Sequence, residues 1–280
     1  MVKLPLSAEQ QTALRARLGE PALRRDGLSS EQARRMAAET GAPLRGVEWF
    51  ALSMGVVPHR YSRSIGTVGA EGQMKLLESR VLVVGLGGLG GHVAEMLARS
   101  GVGRVAGCDA DVVEENNLNR QTFSTLASLG EPKTQAARRR LAEVNPAVEF
   151  EGFTCGFQDI PEEVLSACDL LFDCLDSVPA RLELETRCAS VGRPLIHGAI
   201  GGWYGQVGVV WPGSNLLSRI CGQGGRGIER ELGNPSFTPA VAAGLMVSRG
   251  IRVLLGLVQP GRASLQVFDL LNDEWETLEL

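Results

Sequence analysis

The segment VLVVGLGGLGGHV, residues 81 to 93, has glycines at a chemically suggestive spacing. Gly85, Gly87 and Gly90 form the pattern G-x-G-x-x-G, where an apolar strand-like run gives way to a helical one. Such glycines let the backbone approach a phosphate, and the helix N-terminus adds N–H donors. Asp109 ends the next apolar run, where a carboxylate can accept hydrogen bonds from a ribose. These residues predict a nucleotide site, usually one for NAD.

The segment DADVVEENNLNRQTF, residues 109 to 123, favours a polyphosphate over a nicotinamide ring. It carries Asn117, Arg120 and Gln121, and Lys133 follows at the start of a predicted helix. The arginine offers a planar fork of donors and the lysine a point charge, and both suit phosphate oxygens. Taken alone, the same residues also fit an ordinary charged surface loop.

Strand-like and helix-like segments alternate from Arg80 onward, which predicts an α/β fold with a doubly wound, Rossmann-like, mostly parallel sheet. Antiparallel strands are predicted near the C-terminus, and residues 212 to 238 read as a glycine-rich loop. The predicted strands are RVLVVG, RVAGCD, AVEFEGF, DLLFDCLD and RPLIHGAI, followed by GWYGQVGVVW, SLQVFDL and EWETLEL; the helices are GLGGHVAEMLARSG, PKTQAARRRLAEVN, PARLELETRCASVG and AVAAGLMVSRGIRVLLG.

Residues 1–55 predict a helical N-terminal extension, and residues 56–280 the nucleotide-binding domain. Ser29 or Ser30 can cap a helix that Gly41 can end. Residues in this stretch have the spacing of a helix-turn-helix motif, but we favour a helical hairpin that packs on the main domain.

The chain has 280 residues, 44% of them hydrophobic and 21% charged, which is ordinary for a soluble globular protein. A net charge of −4 and a pI near 5.6 argue against nucleic acid or anionic lipid as partners. The start, MVKLPLSAEQQ, lacks the apolar core of a signal peptide. No apolar stretch is expected to span a bilayer, because charges or glycine clusters interrupt each one. We therefore expect a cytoplasmic protein.

The cysteines and histidines suggest no metal centre. None of the six cysteines forms a C-x-x-C pair, and most are expected to be reduced core residues. His59, His92 and His197 are widely separated, so neither a catalytic triad nor a histidine metal site is expected.

Several motifs together resemble the ThiF/MoeB/HesA adenylyltransferases, the bacterial relatives of ubiquitin-activating enzymes. The resemblance covers about residues 60 to 257, so the N-terminal extension falls outside it. The motifs, in order, are RYSRS, the glycine loop, the D-x-D of Asp109 and Asp111, NNLNRQ, Lys133 and DCLDSVPAR. The resemblance implies that the protein binds ATP and Mg²⁺. It also implies a homodimer that adenylylates the C-terminal carboxylate of a small ubiquitin-like sulfur carrier ending in Gly-Gly.

The resemblance also implies a role for each matching residue. Asp109 would bind the ribose, and Asp111 of the same D-x-D would join the nucleotide site. Asp176 would hold Mg²⁺ at the triphosphate, although it also fits a helix N-cap. Arg63 would reach the phosphates of the neighbouring subunit's ATP. The nucleotide loop would be Gly85, Gly87, Gly88 and Gly90, and the phosphate contacts Asn117, Arg120, Gln121 and Lys133.

The sequence departs from the family pattern in its cysteines. Many members hold a structural zinc with two C-x-x-C pairs, which this chain lacks, so no structural zinc is expected. Some members use a cysteine of the crossover loop for a thioester or acyl persulfide. Cys221 lies in that loop, where Arg219 and Arg226 would lower its pKa and make it a candidate nucleophile, but it also fits an incidental cysteine.

Two other functions remain open from sequence. One is an NAD(P) oxidoreductase on the same fold, and the other is a non-catalytic nucleotide-binding partner of an active subunit. Arg63, Arg120, Lys133 and Asp176 favour the adenylyltransferase over the oxidoreductase, because they suit a polyphosphate.

Overall fold

The computed structural model describes residues 6–221, 229–261 and 263–280. Its centre is one eight-stranded sheet in the order β3-β2-β1-β4-β5-β6-β7-β8. The strands are β1 (Arg80–Val84), β2 (Arg104–Cys108), β3 (Glu149–Phe153), β4 (Leu170–Asp173), β5 (Leu195–Gly201), β6 (Tyr204–Val210), β7 (Ser264–Asp269) and β8 (Glu274–Glu279). The first five run parallel and the last three pair antiparallel, so the predicted doubly wound sheet is confirmed.

The strand order fixes where a ligand can bind. From β1 the chain moves outward to β2 and β3, and then returns to place β4 on the other side of β1. The loops that leave β1 and β4 therefore diverge, and a crevice opens between them at the carboxyl ends of the strands. Ligands of open α/β sheets bind at such a point.

Helices cover both faces of the sheet. Val81 and Val83 of β1 face a core shared with α6, α7 and α12, while Leu82 and Val84 face one shared with α8, α9 and α10. The described helices are α1 (Ala8–Leu18), α2 (Pro21–Asp26), α3 (Ser30–Thr40), α4 (Leu44–Ser53), α5 (Ile65–Glu78), α6 (Gly88–Arg99), α7 (Lys133–Val144), α8 (Glu162–Ser166), α9 (Val178–Ser190), α10 (Leu216–Ile220), α11 (Glu229–Leu232) and α12 (Phe237–Leu255). The predicted loop at 212–238 thus contains two short helices and the start of α12.

Helix α12 corrects the expectation that no segment could span a bilayer. It has 19 residues and a mean hydropathy of 1.3, which is long and apolar enough by length and composition. The two arginines, Arg249 and Arg252, do not interrupt it sufficiently. Its apolar character has a structural reason, because Ala242, Ala243 and Met246 are fully buried in the core between the sheet and α6. The core helix of a soluble protein can have the same length and hydropathy.

The N-terminal helices α1 to α4 form a small core of their own around Leu14, Leu18 and Val47, all fully buried. Ser29, one of the two predicted candidates, is the N-cap of α3. Its hydroxyl oxygen accepts from the Gln32 backbone N–H, and the Gln32 side chain accepts from the Ser29 backbone N–H. Gly41 ends that helix in the left-handed conformation at φ 65°. The predicted helical hairpin is therefore present as α3 and α4.

Buried polar groups join these helices to the nucleotide-binding body. Tyr61 donates its hydroxyl proton to Glu48 at 3.0 Å, and Asn145 donates to the Tyr61 oxygen at 3.1 Å. Glu48 also pairs with Arg60 at 2.9 Å. Burial raises the pKa of the Glu48 carboxyl, and Arg60 and Tyr61 oppose that effect. The predicted boundary near residue 55 remains a prediction, since polar contacts cross it.

Charged side chains occupy both edges of the sheet. On β3, Glu149 pairs with Arg104 and Glu151 pairs with Arg80, each at 3.1 Å. The opposite edge, β8, has the sequence EWETLE and is mostly exposed.

Candidate active site

The glycine loop follows β1 and requires its glycines at two positions. Gly85 has a φ of 90°, and a Cβ there would lie 2.8 Å from the carbonyl oxygen of Cys174. A Cβ on Gly90 would lie 1.8 Å from the carbonyl oxygen of Gly85. Larger residues would therefore push α6 off the sheet. Gly87 caps α6 without a side chain, which leaves the first N–H groups of this 12-residue helix available to an anion.

A cavity of about 660 Å³ opens beside this loop, at the carboxyl ends of β1, β2 and β4. Its wall brings together nearly all the residues that the sequence predicts for the nucleotide site. They are Gly85, Gly87, Gly88, Asp109, Asp111, Asn117, Arg120, Gln121, Lys133 and Asp176. Residues separated by up to 91 positions thus meet around one cavity, as a common ligand requires.

Asp109 and Lys133 form the centre of a charged network in the cavity wall. The Asp109 carboxylate accepts hydrogen bonds from the backbone N–H groups of Leu86 at 2.8 Å and Asp111 at 2.9 Å. The Lys133 ammonium lies 2.7 Å from Asp111 and 3.5 Å from Asp109. Asp109 thereby holds the glycine loop, and Lys133, mostly buried at the first residue of α7, brings one positive charge to the cavity.

Arg120 lies across the loop from Lys133. Its side chain covers Gly88, where a Cβ would lie 3.2 Å from the arginine Cγ. One guanidinium nitrogen donates to the Asn116 carbonyl and to the Asn119 side chain, both at 2.9 Å. These contacts aim a cation at the start of α6, next to the free N–H groups of the helix.

Asn117 and Gln121 are buried beside the same loop. The Asn117 side-chain oxygen accepts a hydrogen bond from the Glu114 N–H at 3.0 Å and closes a turn. This contact is structural, so its role toward a phosphate remains a prediction. Gln121 lines the cavity, and its amide nitrogen would lie 3.7 Å from a Cβ on Gly87.

Asp176 is exposed and also lines the cavity, in the turn between β4 and α9. The interpretation of Asp176 as an N-cap is wrong, because Ser177 occupies the cap position of α9. Within the described residues its carboxylate makes no hydrogen bond or ion pair. An accessible carboxylate in the wall of the cavity that Lys133 and Arg120 also line fits a Mg²⁺ ion shared with a triphosphate, since Mg²⁺ needs only one or two carboxylates beside phosphate oxygens.

A buried polar group that the residue pattern did not reveal lies close to Asp176 in the chain. His197 Nδ1 lies 2.7 Å from Asp173 Oδ2, and Gln206 Nε2 lies 3.0 Å from His197 Nε2. Asp173 and His197 are fully buried and are direct partners in the β4–β5 pairing. The sequence signal for this contact was one polar residue in each of two buried strands, Asp173 in β4 and His197 in β5. The register of the two strands is needed to show that they are neighbours.

Three predicted site residues do not line the cavity. Gly90 packs beneath the loop, as described. Arg63 is exposed in the turn that precedes α5 and makes no hydrogen bond or ion pair among residues 6–221, 229–261 and 263–280. Cys221 follows α10, and burial raises the pKa of its thiol, whereas Arg181 opposes that effect. Arg226, invoked to lower that pKa, lies outside the described residues.

The thiols that do line the cavity are poor nucleophiles. Cys108, Cys155 and Cys174 line it, and burial raises the pKa of each; that of Cys108 reaches about 12. Such thiols stay protonated at neutral pH. The cavity is therefore suited to binding and charge neutralisation more than to covalent catalysis by sulfur.

Curated relatives cover most of the chain. The sulfur carrier protein ThiS adenylyltransferase of Escherichia coli K12 is 30% identical over 79% of this chain and 90% of that protein. The molybdopterin-synthase adenylyltransferase of the same organism is 33% identical over 79% and 92%. A sulfur carrier protein adenylyltransferase of Thermus thermophilus is 34% identical over 78% and 86%. These homologues are all adenylyltransferases.

Solved structures agree on the fold. PaaA matches with a TM-score of 0.65 at 20% identity, over 79% of this chain and 72% of that one. Escherichia coli MccB with MccA-N7isoASN gives the same score and identity, over 79% and 71%. The ThiF family model matches residues 61–280, and the glycine loop, the D-x-D and the DCLD turn all fall within that range. The chain therefore belongs to the ThiF family.

Proposed function

We propose that this protein is an ATP-dependent adenylyltransferase that activates the C-terminal glycine carboxylate of a small ubiquitin-like sulfur carrier ending in Gly-Gly. A carboxylate oxygen attacks the α-phosphorus of ATP, the bond from that phosphorus to the bridging oxygen breaks, and pyrophosphate leaves. The products are an acyl adenylate and pyrophosphate. The observation that carries the proposal is the cavity in which the glycine loop, Lys133, Arg120 and Asp176 converge, in a chain of the ThiF family.

The residues of the cavity supply what this reaction needs. It requires positioning and charge neutralisation more than covalent help from the protein. In the proposal, the N–H groups at the start of α6 and the cations of Lys133 and Arg120 hold the phosphates. Asp109 and Asp111 contact the ribose side, while Asn117 and Gln121 support the phosphate loop.

Asp176 is the proposed protein ligand for Mg²⁺. The metal, when bound, neutralises charge on the triphosphate. The chain's own contribution is to hold one accessible carboxylate in the wall of the cavity that Lys133 and Arg120 also line. No structural zinc is part of the proposal, because the C-x-x-C pairs are missing from the sequence, and elemental analysis of the purified protein tests this.

The proposed pathway is molybdopterin, thiamine or related sulfur-transfer biosynthesis, and relatives named sulfur carrier protein ThiS adenylyltransferase and molybdopterin-synthase adenylyltransferase support it. A cytoplasmic homodimer without nucleic acid or membrane contact completes the proposal. Cys221 has no part in the adenylation step. Its proposed use is in a later thioester or persulfide step, and trapping of a carrier adduct in wild type but not in Cys221→Ala tests that use.

Carrier-dependent ATP–pyrophosphate exchange tests the proposed function. We expect exchange that requires Mg²⁺ and a carrier with an intact Gly-Gly end, and none with a carrier lacking its last glycine. ATP with Mg²⁺ should raise the melting temperature, because a ligand that binds only the native state stabilises it. Stabilisation by NAD(H) or NADP(H) but not by ATP would instead indicate an oxidoreductase. ATP binding without exchange for any carrier would indicate a non-catalytic subunit.

A further inference from the structure

The residue immediately before Asp176 is held on both sides of its backbone. The N–H of Leu175 donates to Asp173 Oδ1 at 3.0 Å. Its carbonyl oxygen accepts two hydrogen bonds from the Arg181 guanidinium, from Nε at 3.1 Å and from Nη2 at 2.6 Å. Arg181 projects from the first turn of α9, which begins just after the turn. The turn that carries Asp176 is thus fixed between the end of β4 and the start of α9.

A second layer of buried groups fixes Asp173 itself. A carboxylate can only accept hydrogen bonds, so the His197 Nδ1–H donates to Asp173 Oδ2 at 2.7 Å, and the Gln206 amide donates to His197 Nε2 at 3.0 Å. Arg181 Nε lies 3.9 Å from the same Asp173 oxygen. Asp173 and His197 are fully buried, and polar groups at such depth need hydrogen-bond partners.

These hydrogen bonds form one continuous network from β6 to the cavity. It runs through Gln206, His197 and Asp173 to the Leu175 peptide, and Arg181 closes it from α9. Asp176 itself makes no such contact within the described residues, so its position depends on the peptide that precedes it. A single exposed carboxylate binds Mg²⁺ well only if its backbone is already in place, and outer partners of a ligand commonly matter 10- to 100-fold for metal affinity.

We propose that His197 and Arg181 are positioning residues that hold the Asp176 turn in the geometry for a metal–nucleotide complex. The inference rests on the proposed metal role of Asp176. It assigns a function to the histidine that the sequence analysis left without one. Neither residue is proposed to touch the metal or the substrate.

Calorimetric titration of ATP, with Mg²⁺ and with a chelator, tests this inference without using activity. The measured quantity is the gain in ATP affinity that Mg²⁺ provides. In His197→Leu and Arg181→Met we expect that gain to fall about ten-fold, while metal-free ATP affinity changes less than about two-fold. Amide exchange at Leu175 should also become faster in the ligand-free variants, because His197→Leu removes a group that holds its acceptor Asp173, and Arg181→Met removes the donors to its carbonyl oxygen.

Two variants separate positioning from general damage. In His197→Asn the side-chain amide nitrogen occupies the place of Nδ1 and can still donate to Asp173, so the Mg²⁺-dependent gain should be retained. Arg193→Met is the matched control on the protein body, because Arg193 likewise donates to a backbone carbonyl, that of Ser166 at 2.7 Å, but does not line the cavity. It should leave the gain unchanged.

A double-mutant cycle with Asp176→Ala decides whether the two residues act through Asp176. Once the carboxylate is absent, adding Arg181→Met or His197→Leu should cost no further Mg²⁺-dependent affinity. A further loss of about ten-fold in that background would overturn the proposal, as would folded Arg181→Met and His197→Leu proteins with the wild-type gain. If His197→Leu does not fold, the Mg²⁺-dependent gain in ATP affinity is compared in Arg181→Met and His197→Asn. A wild-type gain in folded Arg181→Met would then overturn the proposal.

The outcome is distinguishable from failure of the proposed function. Absence of pyrophosphate exchange with an intact, Arg181-dependent Mg²⁺ effect on ATP binding would refute the adenylylation and leave the positioning role standing. A Mg²⁺-dependent gain that survives Asp176→Ala would refute the metal role, and the positioning inference with it.

Discussion

Asp173 and Asp176 are only three residues apart, but their surroundings assign them different tasks. Asp173 is fully buried, accepts from Leu175 and contacts His197 and Arg181. Asp176 is exposed on the cavity wall and makes no polar contact within residues 6–221, 229–261 and 263–280. The first satisfies backbone and side-chain donors inside the fold, and the second keeps its oxygens available to a ligand. Of the two acids, Asp176 is therefore the one available for the proposed metal role.

At this scale we predict that Asp176→Ala abolishes carrier-dependent ATP–pyrophosphate exchange without loss of stability. Removing the proposed metal ligand leaves triphosphate charge poorly compensated, so exchange should fall at least about 100-fold. The melting temperature should stay close to that of wild type, since the side chain makes no internal contact. Asp26→Ala, which removes an exposed carboxylate from α2, is the control and should retain full exchange. Exchange near the wild-type rate in Asp176→Ala would rule out the metal role.

The short-range part of the site could be predicted from sequence, and the long-range part could not. The G-x-G-x-x-G turn, Asp109 and the cations Arg120 and Lys133 follow from local motifs, because a turn or helix start fixes each of them. The Asp173–His197 contact depends instead on the register between β4 and β5, which residue patterns do not specify. Local sequence also misassigned the cap of α9, where Asp176 and Ser177 are both good capping residues.

At the scale of elements, α6 and α7 are joined by one mostly buried carboxylate. Glu95 of α6 pairs with Arg140 of α7 at 3.0 Å and with Arg99 one turn later at 2.6 Å. Burial raises the pKa of Glu95, but hydrogen bonds and charge from Arg140 and Arg99 outweigh that effect and lower it overall. These two helices carry the glycine loop and Lys133 at their N-terminal ends, so this contact links the elements on which both are placed.

We predict that Glu95→Gln destabilises the protein in a pH-dependent way. Because the folded pKa lies below the ordinary value of 4.5, the ionised pair contributes stability above that pH and loses it as pH falls through the folded pKa. The arginines are about half exposed, so we expect a loss of only about 1 kcal/mol at pH 7. Urea unfolding at pH 7 and at about pH 3.5 measures both values, and the two proteins should converge at low pH.

Glu143→Gln is the matched control for this prediction. Glu143 lies on the exposed side of α7, with Arg140 at 3.9 Å. Its replacement should change the free energy of unfolding by less than about 0.5 kcal/mol at either pH. A Glu95→Gln effect that is equally large at both values of pH would mean that packing, rather than charge, links the helices.

At the scale of the whole molecule, Arg63 stands out by its position. It lies on an exposed turn between the N-terminal helices and α5, outside the cavity and without an internal partner in the part of the chain that the structure describes. The neighbouring Arg60 and Tyr61 are anchored to Glu48 and fix that turn on the body. An anchored, unpaired cation suits the proposed role of completing a second subunit's site across a two-fold axis.

We predict that Arg63→Ala and Asp176→Ala complement each other in mixed dimers. Each homodimer should be inactive, because both of its sites lack one residue. After subunit exchange at equal concentrations, half of the dimers should be mixed, and each of these has one intact site. Activity should therefore recover to about a quarter of the wild-type value. Mass spectrometry of differently labelled chains shows that exchange has occurred, and no recovery despite exchange would mean that Arg63 does not act in trans.

The charged edges of the sheet limit how copies of this chain can associate. A strand that joined β3 would lie beside Glu149 and Glu151, and one that joined β8 would lie beside Glu274 and Glu276. Removing such groups from water opposes strand addition, as charged edge strands generally do. Growth of the sheet into fibrils is therefore disfavoured at neutral pH, while the helical surfaces remain open to closed assemblies. Replacing these carboxylates by amides would remove the charge, so the edges that now oppose strand addition are also the places where an uncharged variant would first add a strand.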